Sequence, residues 1–572
     1  MSTTPPAAGT PGVPRPPEPG PLARLAAGET ARRLHVVLVL AGLVGVATGL
    51  TVAAFEWVVR EQLFHTVRDL SLPLAAAAPT LGLALAVLVI RRTGGDPATT
   101  DAYVRAYHEP GGRLSLRRLP TTALACLATL GSGAAMGYEG PAIHIGATIG
   151  SSAERRFTRR FRQDDAKVLM VAGAAAGVAA IFKAPLTGVV FALEVPYHQD
   201  LARRALLPAL VAAGMSYLTF VALLGTEPVL AYGGTAGVEL RHLLGGVLVG
   251  VVCGVLARGA AWLTQRAKRI ALPIGWRVAL AGATLAGLAV LTDRVFDGPL
   301  TLGSGYDAIA WAADHREGFG LLAALFALRL AATVVTVAGG GVGGLFIPLV
   351  TQGALVGFAV QAVVGGHNPD LFPVVGIAAF LGGGYRTPLA GVAFVAEATG
   401  RPGFVVPALL ASAAAQLAMG RWSFSPYQRV QRQPERVPTT RLLVREIMTA
   451  NPDTIDASLS LDDAARRMMR DHRRWAPVVD QGRYCGLLAL ADIAEVRATD
   501  WPELVVRDAV RTEVRAVDAE ETVHDVALVI REGDIGAVAV VEDDRVVGVV
   551  TRRDIAGVER LLDRLGEPDA PR

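Results

Sequence analysis

Gly137-Tyr138-Glu139-Gly140-Pro141 and Gly344-Leu345-Phe346-Ile347-Pro348 are two copies of one short phrase. In each, glycine leads to proline, and glycine returns five and nine residues later, at Gly146 and Gly150 or at Gly353 and Gly357. The equivalent positions all differ by 207 residues. Proline at a helix start with glycine just before it predicts a helix N-terminus with exposed backbone N–H groups. The Gly-x-x-x-Gly that follows suits close helix packing in a membrane. Two such ends at membrane depth make an anion site, and only one copy carries an acid, Glu139.

Outward from these stretches, the 572-residue chain is too long for one ordinary domain. Its mean hydropathy is +0.41, and the apolar material is concentrated between about residues 35 and 420. Apolar segments run near 36–58, 74–91, 120–136, 141–151, 166–182, 185–195 and 204–224. A second series runs near 242–264, 276–292, 320–338, 345–364, 372–383, 388–398 and 403–419. Several are too short to cross about 30 Å of hydrocarbon as a helix. Short, Gly/Pro-interrupted segments at matching places predict an inverted repeat, about 36–224 and 242–419, with its site at the midplane. Residues 1–34, rich in Pro, Ala and Gly, read as a disordered cytosolic tail. A net charge of +4 does not imply nucleic acid. Arg155, Arg156, Arg159, Arg160 and Arg162 form a basic loop that faces the cytosol on the positive-inside rule. Cys126, Cys253 and Cys485 sit in apolar runs without metal-ligand spacing and read as packing residues.

A second internal match joins Phe182–Glu194 to Tyr385–Glu397 without a gap, Pro185 falling on Pro388, Gly188 on Gly391 and Glu194 on Glu397. A carboxylate in an apolar helix needs a partner. Capping a backbone, pairing across helices and serving transport all fit Glu194 and Glu397. Beyond about 440 the composition becomes mixed and charged, and a third repeat appears at an offset of 62: Asp456/Asp518, Val478/Val540, Gly486/Gly548, Asp492/Asp554. Each copy reads as a helix, then a hairpin, then a closing helix. The hairpins are Ala476–Val479 with Tyr484–Ala489 around Gln481-Gly482, and Ala537–Val541 with Val546–Val550 around Asp543-Asp544.

Gly137–Pro141 with the following Ala142–Gly146, Ala184–Glu194, Gly344–Pro348 and Ser425-Pro426-Tyr427 make residues 36–430 resemble the CLC family of chloride channels and proton–chloride antiporters. The C-terminal repeat resembles a tandem pair of CBS domains. The fold expected is an all-α polytopic membrane domain of discontinuous helices over 35–430, a linker at 431–441, and a small α/β pair at 442–500 and 501–563 with a tail at 564–572. The resemblance implies a homodimer in the cell membrane, with cytosolic termini and one pathway per subunit for chloride or a related small anion. By position, the backbone at Tyr138, Glu139, Gly140, Leu345, Phe346 and Ile347 lines the anion sites, and Tyr427 donates its hydroxyl at the central one. Tyr427 also suits an interfacial anchor. Glu139 is the gate, its carboxylate mimicking the anion; as an alternative it is an ordinary acid at a helix N-terminus. No cofactor is required, but the CBS resemblance implies ATP, ADP or AMP between the copies. Thr551 and Asp554 supply a complete ribose-binding pair, and Asp492 an incomplete one, because Ala489 replaces its hydroxyl partner.

Two departures from the family pattern set the functional expectation. Val195 stands where the family's antiporters place an internal proton-accepting glutamate. Thr93-Gly94-Gly95-Asp96-Pro97 stands where the family expects Gly-Ser-Gly-x-Pro, so Gly94 replaces an anion-binding serine and Asp96 adds an acid. Gly303-Ser304-Gly305-Tyr306 is the second half's counterpart of that loop. Lys183 is placed near the cytosolic approach, where attracting anions and snorkelling to the interface fit equally. His144 reads as a packing residue. Together these favour a gated passive anion channel. A proton-coupled antiporter with an unconventional inner route is the alternative, and a nucleotide-sensing membrane regulator comes third. Nothing points to an enzyme.

Overall fold

The computed structural model describes residues 21–565, apart from 95–98, 110–111, 158–166, 228–229, 231–239, 316, 366–369, 430–441, 513 and 533–535. It divides into two compact units at Gln431/Arg432. In the first, α1 (Pro21–Glu56) passes through a π-helical stretch, Trp57–Phe64, into α2 (His65–Arg68). There follow α3 (Leu72–Thr93), α4 (Thr99–His108), α5 (Leu119–Gly131), α6 (Glu139–Phe157), α7 (Val168–Phe182), α8 (Pro185–Glu194) and α9 (Leu206–Leu224). The second half comprises α10 (Leu240–Lys268), α11 (Ile274–Phe296), α12 (Tyr306–His315), α13 (Phe319–Ala338), α14 (Phe346–Val364), α15 (Leu371–Gly384), α16 (Pro388–Thr399) and α17 (Val405–Met419). Among the described residues, seven helices are long and apolar enough to cross a membrane, while α5, α7, α8, α15, α16 and α17 are apolar but shorter. That mixture is the discontinuous-helix pattern the sequence predicts.

The predicted tail at 1–34 is corrected in part, because α1 already starts at Pro21, extending the first apolar run N-terminally. Residues 1–20 and the predicted linker at 431–441 lie outside the described residues. The last helix runs to Leu565, so only 566–572 of the predicted C-terminal tail lie outside them.

Pairs of glycines let the helices around the site close. A Cβ on Gly146 would lie 2.0 Å from the Gly173 carbonyl oxygen, and one on Gly353 would lie 2.3 Å from that of Gly376. The α6–α7 and α14–α15 pairs therefore touch backbone to backbone, as small-residue packing in membranes demands. The repeat also explains the two buried glutamates. Glu194, ending α8, accepts from the N–H groups of Leu389 (3.2 Å) and Ala390 (2.9 Å) at the start of α16. Glu397 on α16 returns the contact, accepting from Leu186 (2.8 Å), Thr187 (2.7 Å) and the Thr187 hydroxyl (2.6 Å) at the start of α8. Each helix thus caps its repeat partner with a carboxylate, which satisfies orphan N–H groups and complements the dipole. Capping is the role both acids fill here.

The second unit contains β1 (Thr449–Ala450), β2 (Ile455–Asp456), α18 (Leu461–Arg470), β3 (Trp475–Asp480), β4 (Arg483–Ala489), α19 (Leu490–Glu495), α20 (Val506–Ala509), α21 (Val523–Glu532), β5 (Ala537–Glu542), β6 (Arg545–Thr551) and α22 (Arg552–Leu565). Both predicted hairpins form. Gln481, Gly482, Asp543 and Asp544 all have positive φ, the geometry a two-residue hairpin turn requires. The sheets run β2-β3-β4 and β1-β6-β5, so β1, at the start of the first copy, completes the sheet of the second.

Candidate functional site

The two phrases meet. The Gly137 N–H donates to the Gly344 carbonyl (2.9 Å) and the Gly344 N–H to the Gly137 carbonyl (2.8 Å), a short antiparallel bridge that points the N-termini of α6 and α14 at one place. The Glu139 side chain fills that place and is 1% exposed. Its Oε1 accepts from the Phe346 N–H, and Phe346 is its own repeat equivalent. The N–H groups of Glu139 itself and Ile347 face the same carboxylate. A Cβ on Gly137 would stand 2.0 Å from Glu139 Oε2, and one on Gly344 2.0 Å from Oε1. Glycine at both positions is what admits the carboxylate. Negative charge cradled by two helix N-termini is the electrostatics of an anion seat. Glu139, Gly140, Phe346 and Ile347 are therefore together as expected.

A cavity of about 450 Å³ approaches this seat from one side, lined by Arg91, Thr100, Asp101, Lys268, Arg277, Gly343, Leu345, Tyr385 and Tyr427 among others. Three cations against one acid suit a vestibule for anions. Tyr427 lines it but is 40% exposed, with the Arg105 guanidinium 5.8 Å from its ring centroid. The buried tyrosine beside the seat is Tyr385, which sequence reasoning missed. It is 3% exposed, its ring packs edge-on against Phe191 at 5.5 Å, and it lines the cavity beside Leu345 and Thr100. The repeat aligns Tyr385 with Phe182, so its signal was a hydroxyl added to one member of a packing pair.

Other predicted positions fall elsewhere. Tyr138 turns its side chain to the far side of Glu139, into a separate cavity of about 200 Å³ with Arg60, Ser304, Tyr306 and Asp307. The Gly303–Tyr306 loop thus belongs to that far approach. There the buried Arg329 guanidinium donates to the carbonyls of Leu300, Leu302 and Gly303, each at 3.2 Å. Gly94 is the left-handed C-cap of α3 (φ 66°), with no heavy atom within 4 Å of its notional Cβ, and it does not line the vestibule. Asp96 lies outside the described residues. Val195 is fully buried, and the neighbouring Gln428 amide donates to the carbonyls of Val195 (2.9 Å) and Tyr385 (2.7 Å). Lys183 closes α7 at its C-terminal end, donating to the Glu227 carbonyl (3.0 Å), and lines neither cavity. Residues 158–166 of the basic loop lie outside the described residues. His144 is buried in α6, and Cys126 and Cys253 are buried thiols.

In the second unit the Thr551 hydroxyl donates to Asp554 (2.7 Å), and the Thr551 N–H donates to the same oxygen (2.9 Å). Asp492 is already engaged. Arg511 grips it with two hydrogen bonds, of 2.8 and 2.5 Å, while lying 5.8 Å from the Trp475 ring centroid. The copies are therefore chemically unequal.

Comparison with known proteins agrees with this architecture. Residues 81–420 match the family model described as voltage gated chloride channel, and residues 444–499 and 506–560 each match the CBS domain model. The H(+)/Cl(-) exchange transporter ClcA of Citrobacter koseri is 27% identical over 69% of this chain and 89% of its own length. The voltage-gated ClC-type chloride channel ClcB of Salmonella typhimurium is 27% identical over 66% and 94%. Among solved structures, a slow cyanobacterial Cl−/H+ antiporter superposes with a TM-score of 0.60 at 22% identity, over 67% of this chain and 94% of that one. A CLC-type fluoride/proton antiporter gives 0.60 at 24% identity, over 70% and 98%. These likenesses carry the fold, and the matched family model carries the membership. The chain belongs to the CLC family of anion-transporting, multi-pass membrane proteins, with a C-terminal pair of CBS domains.

Proposed function

We propose that this protein exchanges a small anion, with chloride as its reference ion, for protons. This replaces the passive conduction that Val195 suggests in the sequence. The carrying observation is the Glu139 carboxylate in the anion's own seat, held by N–H groups of both repeats. An anion can take the seat only when that carboxylate leaves, and a buried carboxylate leaves most readily with a proton on it. Anion transit is thereby linked to protonation. Relatives named as H+/Cl− exchangers and the fold shared with antiporters support this reading. One observation favours the passive channel: Val195 is sealed from solvent, and a relative named as a channel is equally similar. Protein in liposomes decides between them. Exchange predicts that a pH gradient shifts the reversal potential at fixed chloride, and an unmoved reversal potential rejects it. We also assign the protein a homodimeric state, cytosolic termini, and an adenine nucleotide at Thr551 and Asp554 in the second unit. The apolar, outward-facing Leu186, Leu389, Leu206 and Val406 on α8, α16, α9 and α17 support a subunit interface.

A further inference from the structure

We propose that Tyr385 and Asp101 carry the proton between Glu139 and the vestibule, doing on α4 what no residue at position 195 can do. The proposal rests on the exchange reading above. Asp101 is 7% exposed, yet it lines the 450 Å³ cavity, where its Oδ2 receives the Lys268 ammonium at 2.7 Å. Behind it Tyr385, 3% exposed, lines the same cavity together with Thr100 and Leu345. Packing against Phe191 holds the ring in place. Position 195 offers nothing comparable, being an apolar side chain with no exposure.

Protons balance along this route. The O–H bond of protonated Glu139 breaks and, through water in the inner anion position, a new O–H bond forms on the Tyr385 oxygen. As it forms, the original Tyr385 proton passes through cavity water to the Asp101 carboxylate, and from there to solvent. One proton has moved from Glu139 to the vestibule, and rotation of the Tyr385 hydroxyl resets the chain. The charges around Asp101 are Lys268 from α10, Arg91 from α3 and Arg277 from α11, with the Tyr385 and Tyr427 phenols.

The test is paired chloride and proton flux from liposomes holding the wild type, Asp101→Asn, Asp101→Glu and Tyr385→Phe. The wild type comes first: no proton movement with chloride overturns the exchange reading itself, before any variant is compared. Given a coupled wild type, Asp101→Asn and Tyr385→Phe are expected to cut the proton-to-chloride flux ratio at least tenfold, and Asp101→Glu to restore coupling. Tyr385→Phe removes only a hydroxyl, so it decides the matter even if breaking the Lys268 pair unfolds Asp101→Asn. Wild-type proton-to-chloride stoichiometry in Tyr385→Phe or in folded Asp101→Asn overturns the route and leaves the Asp101–Lys268 pair a brace between α4 and α10.

Discussion

At the residue scale, the gate depends on what Gly137 and Gly344 lack. Glu139→Gln keeps the size of the side chain but removes the charge that competes with an anion for the N–H groups, so it is expected to raise basal chloride flux and abolish its dependence on pH. Flux assays between pH 5 and 8 check this, and wild-type pH dependence would remove Glu139 from the gate. Gly137→Ala makes a sharper demand. The three atoms nearest its Cβ all belong to the Glu139 carboxylate, Oε2 at 2.0 Å. The backbone seat survives while the carboxylate is expelled, so this variant is expected to match Glu139→Gln in flux and keep a near-normal melting temperature. Gly344→Ala is different, because its Cβ would also lie 2.5 Å from the Gly140 backbone nitrogen. That clash is with the scaffold, and loss of folded protein is expected. The glutamate and its glycines were legible because their spacing repeats. Tyr385 was not, because one added hydroxyl on an aromatic that packs like its repeat mate leaves no pattern.

At the element scale, the reciprocal carboxylate caps hold the repeat together. Glu397→Ala strips the α8 N-terminus of three charge-assisted hydrogen bonds, one of them to the fully buried Thr187. A cost of about 2 kcal/mol follows from the worth of such caps, read as a lowered melting temperature in detergent. Glu397→Gln, which keeps an acceptor oxygen, is expected to lose about half as much, and an unchanged melting temperature in both would refute a structural role for the cap. The sequence announced this pairing of helices, since Pro, Gly and Glu recur together, but not its geometry, because a cap between elements some 200 residues apart has no local signature. Two helices of the membrane unit, α4 and α12, were missed altogether. Both are ten residues long, with charged or polar residues among the apolar ones, and both follow glycine-rich loops, so neither forms an apolar run. Asp101 and Asp307 ride on them, which is why the acids on the two approaches to Glu139 went unremarked.

At the scale of the whole molecule, symmetry is used and then broken in both units. The membrane unit brings two like helix ends together and arms one of them, so a single acid occupies a seat built by both repeats. The second unit repeats a helix and hairpin, then fills one copy's acidic position from within. Asp492 is held by Arg511 with the geometry of a finished ion pair, and a ligand there would have to displace a bidentate guanidinium. Asp554 accepts from the hydroxyl and N–H of its neighbour Thr551 through one of its oxygens. Calorimetry on the full chain in detergent tests the inequality. One adenine nucleotide per chain is expected. Asp554→Ala is expected to weaken its binding at least tenfold, because a ribose hydroxyl loses a charged acceptor worth about 1.5–3 kcal/mol. Asp492→Ala is expected to leave nucleotide affinity unchanged and to cost about 1 kcal/mol of stability, the worth of a half-exposed ion pair. Equal loss of binding in both variants would mean that Arg511 yields to the ligand, and the broken symmetry of this unit would then be a resting state that nucleotide reverses.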